Sequence, residues 1–332
     1  MKLAIFSTKS YDKEYFEKLK PNSKIEVSYF KTALNEDTSK LSKGFDAVCV
    51  FVNDRINRSV LSKLKKNGTR IVALRCAGFN NVDLKAAEEF GIKIVRVPSY
   101  SPNAVAEHAM ALILTLNRKT HKAYNRIREG NFSLGRLTGF NIQGKTIGVV
   151  GTGQIGKAFC RIMLGFGAKI LAHDLYPDKQ LEESGIEYTS LDELFEKSDI
   201  ISLHCPLTSE TKHMIDEVSL DKMKNGVMII NTSRGALIDT KAAIRALKSK
   251  KIGYFGIDVY EQEESLFFYD HSENIIEDEL IMRLISFPNV LITSHQAFFT
   301  REALEQITAT SYQNIIDFEE GRSLKNEVKQ IK

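Results

Sequence analysis

The chain has 332 residues, 43% of them hydrophobic and 27% charged, with a formal net charge of +4. That length and balance suit about two ordinary globular domains and exclude a disordered or fibrous chain. No apolar run approaches the ~20 residues of a bilayer span, the apolar start at 1–6 is too short for a secretory signal core, and Lys and Glu are interspersed along the helices, so neither a membrane nor a nucleic acid is expected as a partner.

In chain order, strand patterns at 3–6, 24–28, 47–52, 70–74 and 92–96 alternate with helical spacing at 13–20, 59–66 and 83–90. Such alternation predicts a parallel sheet covered by helices, a complete small α/β domain over residues 1–100 with no glycine fingerprint. Ser101 as N-cap and Pro102 at the first helical position then start a helix that keeps Val105, Ala109, Leu112, Ile113 and Leu116 on one face. It is expected to run towards Arg128, with Gly130 as its stop.

The stretch 146–174 organises the second half of the chain. A short buried strand at 146–150 leads into a glycine turn, a helix runs from Lys157 to Gly167, and a second strand at 169–173 delivers Asp174. In that context Gly151 permits the turn, Gly153 lets the backbone approach a pyrophosphate, Gly156 brings helix close to strand, and the helix N-terminus supplies the anion site. Asp174 is placed to accept hydrogen bonds from the adenosine ribose hydroxyls and to repel a 2′-phosphate, which points to NAD over NADP.

Further strands at 200–204, 227–231, 254–258 and 290–293, with helices at 191–197, 220–223 and 241–248, extend this sheet. A final helix carries Leu304, Ile307, Tyr312, Ile315 and Ile316 as apolar positions and has no place left in a finished sheet. The expectation is an α/β fold of two doubly wound domains. A Rossmann NAD-binding domain over 101–298 is inserted into a discontinuous, flavodoxin-like substrate domain made of 1–100 plus 299–332. The four cysteines, Cys49, Cys76, Cys160 and Cys205, match no zinc spacing and read as reduced core thiols of a cytoplasmic protein, with no metal site.

In doubly wound sheets ligands bind beyond the carboxyl ends of the strands. Three polar residues follow late strands there: Arg234 after 227–231, Glu263 after 254–258 and His295 after 290–293. Reduction of a carbonyl needs such a set. A cation holds a substrate carboxylate and polarises the carbonyl, an imidazolium protonates the oxygen as hydride arrives, and an acidic partner orients the imidazole and favours its charged form.

The glycine turn with Asp174, His204 to Thr208, Asn231 to Asp239, Asp258 to Glu261 with Glu263, and Ser294 to Phe298 together resemble the D-isomer-specific 2-hydroxyacid dehydrogenase family, most closely its D-lactate branch, over essentially the whole chain. The resemblance implies an NAD-dependent enzyme that reduces pyruvate to D-lactate, with Arg234 as binder and polariser of the 2-oxo acid, Glu263 as partner of the histidine and His295 as proton donor. It puts the Gln154 and Ile155 backbone at the pyrophosphate and Cys205 and Pro206 beside the adenine. Thr232, Ser233 and Asp258 then lie near the nicotinamide, while Thr211, assigned a nucleotide contact, stands where relatives often carry Asn. From the first domain it implies Ala77 and Gly78 as a backbone cradle for the substrate carboxylate and Tyr100 as an active-site tyrosine, with Phe51 and Phe298 lining a small pocket. It also implies a homodimer or homotetramer. The alternatives are a dehydrogenase of bulkier 2-oxo acids, such as the hydroxyisocaproate type, and an NADH-responsive corepressor-like binding protein.

Overall fold

A computed structural model describes residues 1–21 and 25–330. Lys24, at the head of the second predicted strand, and the last two residues of the substrate domain lie outside the described residues. The chain divides into two compact units, Met1–Ser101 with Phe299–Lys332, and Pro102–Phe298.

The first unit contains β1 (Lys2–Ile5), α1 (Ser10–Lys18), β2 (Glu26–Tyr29), β3 (Ala47–Val50), α2 (Arg58–Asn67), β4 (Ile71–Leu74), α3 (Leu84–Glu89) and β5 (Lys93–Arg96). Its strands are all parallel in the order β2-β1-β3-β4-β5, the flavodoxin-like arrangement. Because strand side chains alternate, each strand feeds two cores. Ala4, Val48, Val50, Val72 and Leu74 pack under Leu61 and Leu64 of α2 and Ala86 of α3. Leu3, Ile5, Cys49, Ile71 and Ala73 face Phe16 of α1 together with Tyr312 and Ile315, which come from the far end of the chain. Full burial of each such large side chain contributes about 1.5–3 kcal/mol.

The second unit opens with α4 (Pro102–Arg118) and α5 (Thr120–Arg128), then continues through β6 (Thr146–Val150), α6 (Gln154–Gly165), β7 (Lys169–His173), α7 (Lys179–Glu183), β8 (Glu187–Tyr188) and α8 (Leu191–Lys197). It is completed by β9 (Ile200–Leu203), α9 (Glu217–Lys222), β10 (Val227–Asn231), α10 (Thr240–Lys248), β11 (Ile252–Ile257), α11 (Glu279–Ile285) and β12 (Val290–Ile292). The seven parallel strands run β12-β11-β10-β9-β6-β7-β8. This is the Rossmann order with one strand added at the edge, and its direction reverses between β6 and β9. α12 (Arg301–Glu319) belongs to the first unit, where the Tyr312 hydroxyl donates to the Phe16 carbonyl at 2.9 Å.

The sequence pattern predicts one helix from Ser101 towards Arg128, and the structure corrects this. Lys119 adopts φ 52° and separates α4 from α5. The apolar face ends at Leu116, and α5 buries none of its residues, so nothing holds the chain on the first helix axis. α7, β8 and α11 are short elements that the pattern does not predict.

Candidate active site

The carboxyl ends of β10, β11 and β12 carry the three residues expected to do chemistry. His295 follows β12, and its Nδ1 lies 2.7 Å from Oε1 of Glu263, with both side chains about one-fifth exposed. Oε2 of Glu263 accepts the Tyr260 N–H at 2.9 Å, and the Tyr260 hydroxyl in turn donates to both oxygens of Asp278, the residue that caps α11. The carboxylate is therefore fixed on both sides. With Nδ1 facing a carboxylate, Nδ1 carries hydrogen and donates, and Nε2 is the ring atom left for a reacting oxygen.

Arg234 stands at the end of the turn after β10. The buried Asn231 shapes that turn by donating from Nδ2 to the Arg234 carbonyl at 2.8 Å and accepting the Ser233 N–H at 3.0 Å. Gly235 is required next: a Cβ there would lie 2.1 Å from the carbonyl carbon of Tyr260, so the Arg234 turn and the Glu263 loop touch backbone to backbone. The guanidinium is partly buried, and Nη1 is hydrogen-bonded to the Ser233 carbonyl at 2.7 Å, leaving other N–H groups of the fork for an anion.

At the switch between β6 and β9 the glycine turn is packed without slack. Gly151 has φ 92°, and a Cβ on it would sit 2.6 Å from the Cys205 nitrogen; one on Gly156 would sit 2.0 Å from the Gly151 oxygen. Gly153 is different, since its Cβ would meet nothing within 4 Å. It is the N-cap of α6 and offers no side chain to the first-turn amides, those of Gln154 and Ile155 among them, so these donors have no side-chain cap. Asp174 accepts the Thr152 N–H at 2.6 Å, the Thr152 hydroxyl at 3.1 Å and the Tyr176 N–H at 2.9 Å. Burial opposes its ionisation, but these donors prevail and hold the carboxyl below the usual carboxylate range.

The other expected contacts are spread over both units. The Cys205 thiol turns inward, 3.6 Å from the Met214 sulfur, and burial pushes it up to about 11, while the Cys205 carbonyl accepts from the Ser233 hydroxyl at 2.6 Å. Pro206 is exposed, and its carbonyl accepts the Thr211 hydroxyl at 2.7 Å, so Thr211 serves its own loop. Thr232 is buried, and its hydroxyl has no partner among the described residues. Asp258 is fully buried and Phe298 nearly so. In the first unit Arg96 donates to the Ala77 carbonyl at 2.7 Å, the Cys76 thiol donates to the Gly78 carbonyl at 3.3 Å, the Arg75 guanidinium lies 5.0 Å from the Phe51 ring centre, and Tyr100 is partly exposed at the unit's end.

Residues 110–297 match the family model described as D-isomer specific 2-hydroxyacid dehydrogenase, NAD binding domain. Over 99% of its length the chain is 55% identical to the whole of the D-lactate dehydrogenase of Escherichia coli (strain K12). The chain belongs to the D-isomer-specific 2-hydroxyacid dehydrogenase family. Its fold is similar to the apo structure of D-lactate dehydrogenase from Escherichia coli, with a TM-score of 0.91 and 53% identity covering 99% of this chain and 100% of that one. The structure of D-2-hydroxyisocaproate dehydrogenase is also similar, with a TM-score of 0.87, 33% identity and coverage of 99% and 100%.

The dehydrogenase's own residues fit NAD. The uncapped start of α6 above Gly153 suits a pyrophosphate, the ionised Asp174 suits ribose hydroxyls, and the orphaned Thr232 hydroxyl suits a polar cofactor group beyond β10. Among the described residues no group of three or more His, Cys, Asp or Glu could hold a metal ion. Sequence reasoning misses Asn231, Tyr260, Asp278 and Tyr188 as supports of the site. Only the N-cap position of Asp278 ahead of an apolar run signals itself in the sequence.

Proposed function

We propose that this dehydrogenase is a D-lactate dehydrogenase that uses NADH to reduce pyruvate. The observation that carries the reading is the His295–Glu263 pair, held at 2.7 Å beyond the strand ends of the NAD-binding unit, in a chain 55% identical to a D-lactate dehydrogenase. Bound NADH supplies the hydride. Arg234 binds the substrate carboxylate and draws electron density from the carbonyl, using a guanidinium fork that suits a planar carboxylate. His295 holds a proton on Nε2 and gives it to the oxygen, and Glu263 stabilises the charged ring while that proton is held. Ala77, Gly78, Tyr100, Phe51 and Phe298 are assigned to substrate on the family resemblance.

Identity favours pyruvate over a bulkier acid, since the D-lactate dehydrogenase relative stands at 55% and the hydroxyisocaproate enzyme at 33%. Steady-state rates with NADH and a panel from pyruvate to 2-oxoisocaproate, with the chirality of the product, test this. A higher kcat/KM for 2-oxoisocaproate, or an L product, would overturn it.

A homodimer or homotetramer is part of the proposal. Its support is α5 with its following loop, where Tyr124, Ile127, Phe132 and Leu134 are between 53% and 81% exposed and give α5 no core of its own. No helix among the described residues is long and apolar enough to cross a membrane, and the four free, buried cysteines accord with a reducing cytoplasm.

A further inference from the structure

His295 sits on a loop at φ 52°, in a backbone region that residues other than glycine rarely adopt. Asp258 holds it there. The Asp258 carbonyl accepts the His295 N–H at 2.7 Å. Its carboxylate accepts the Gln296 N–H at 2.9 Å, the Ala297 N–H at 2.8 Å and the Thr293 hydroxyl at 2.5 Å. Every backbone amide of the 295–297 loop is thus tied to one side chain and its carbonyl.

That side chain is fully buried, and a buried carboxylate is costly without a compensating donor or cation. His108 supplies one. It lies on α4 one turn from Val105 and Leu112, on the face that otherwise buries apolar residues, and its side chain is 17% exposed. Its Nε2 comes within 3.0 Å of the Thr293 hydroxyl and 3.5 Å of Asp258 Oδ1. Among the described residues no Lys or Arg pairs with Asp258. The Thr293 hydroxyl gives its one hydrogen to Asp258, so towards His108 it can only accept, and the three groups form a directed chain that ends on the catalytic loop.

We propose that His108 is a positioning residue for the reaction: through Thr293 and Asp258 it fixes the loop that carries His295. The inference rests on the reading of His295 as proton donor. His108 bonds to Thr293 and Asp258, whereas the His295 ring is held by Glu263, so His108 acts through the loop backbone. A displacement of about 1 Å at a reacting group can cost about 100-fold in rate.

The test uses the full-length enzyme with NADH and pyruvate, measuring kcat and, separately, the NADH dissociation constant by fluorescence. His108→Leu keeps bulk but donates nothing, and should lower kcat by about 100-fold with NADH affinity changed by less than about threefold. His108→Gln, whose amide can donate to Thr293, should recover most of the rate. Thr293→Val should be as slow as His108→Leu, and the double variant no slower than either, because both break one chain. An unimpaired His108→Leu, a Gln variant as slow as Leu, or losses that multiply in the double variant would overturn the proposal. If His108→Leu does not fold, the pair His108→Gln fast and Thr293→Val slow supports it, and the reverse order defeats it. His295→Gln separates the two claims: full activity there sinks the proton-donor reading, whereas an inactive His295→Gln beside an unimpaired His108→Leu sinks this inference alone.

Discussion

Nδ1 of His295 and Oε1 of Glu263 lie 2.7 Å apart, and the second oxygen of the same carboxylate is held by the Tyr260 N–H at 2.9 Å. A carboxylate shared between a ring and a backbone amide cannot rotate away without losing both bonds. It therefore defines one ring orientation with Nε2 outward, and that is the property a proton donor needs.

Replacing His295 by Gln keeps a polar side chain but no titratable proton, so kcat should fall by about 100- to 10,000-fold with NADH binding little altered. Glu263→Gln should cost less, about 10- to 100-fold: the amide oxygen can still accept from Nδ1, but the NH2 then faces the Tyr260 N–H and the charged ring loses its carboxylate. Stopped-flow single-turnover rates decide between these. Equal rates for wild type and Glu263→Gln would remove Glu263 from the mechanism.

Two alanines in the glycine turn separate packing from cofactor contact. In Gly156→Ala the new methyl would meet the Gly151 oxygen at 2.0 Å, so strand and helix must part, at a cost of about 1–3 kcal/mol in stability. In Gly153→Ala it would meet open space, so the melting temperature should match wild type while NADH affinity drops about tenfold or more. Calorimetry on both variants with and without NADH is the check. Unchanged NADH affinity in a folded Gly153→Ala would place the pyrophosphate elsewhere.

The glycine turn, the strand-end residues and the parallel sheets are legible in the sequence because each obeys a local rule: glycines where a Cβ has no room, as at Gly151 and Gly156, or would stand over the helix start, as at Gly153, apolar strands between helical spacings, polar residues just past strand ends. Tyr188 and the contact of Asp278 with Tyr260 are not legible in the same way. Tyr188 lies in the two-residue strand β8 and reaches the glycine turn across the sheet edge, its hydroxyl donating to Thr152 at 2.8 Å. Asp278 meets Tyr260 after an irregular excursion of the chain. The helix break at Lys119 is hidden for a related reason, since a periodic pattern says where an apolar face ends but not how the chain turns afterwards.

That Tyr188 contact bears on cofactor choice. Thr152 N–H and hydroxyl both bind Oδ2 of Asp174, filling it, which leaves Oδ1 with the spare acceptor site for a ribose hydroxyl. Asp174→Ala should relax the preference for NADH over NADPH, because the negative charge that repels a 2′-phosphate is gone. Tyr188→Phe should relax it less, by loosening Thr152. The ratio of kcat/KM for the two cofactors measures both; a ratio untouched by Asp174→Ala would assign the preference to another residue.

His204, next to the glycine turn, makes stability depend on pH. Its ring packs on Phe159 with centroids 4.9 Å apart, Nε2 meets the Ser202 hydroxyl at 2.9 Å, and Nδ1 is sealed from solvent without a partner among the described residues. Burial pushes its pKa down from 6.5 to about 3. Between those values the unfolded chain binds the proton and the native protein does not, so stability is fully present above pH 6.5 and is lost as pH falls, by at most about 1.4 kcal/mol per pH unit. His204→Gln removes this titration while leaving the other groups in place. Urea unfolding at pH 7, 6 and 5 should show wild type losing stability faster than the variant, so that the gap between them narrows with acid. A gap that stays constant would mean that the ring accepts its proton in the folded protein without penalty.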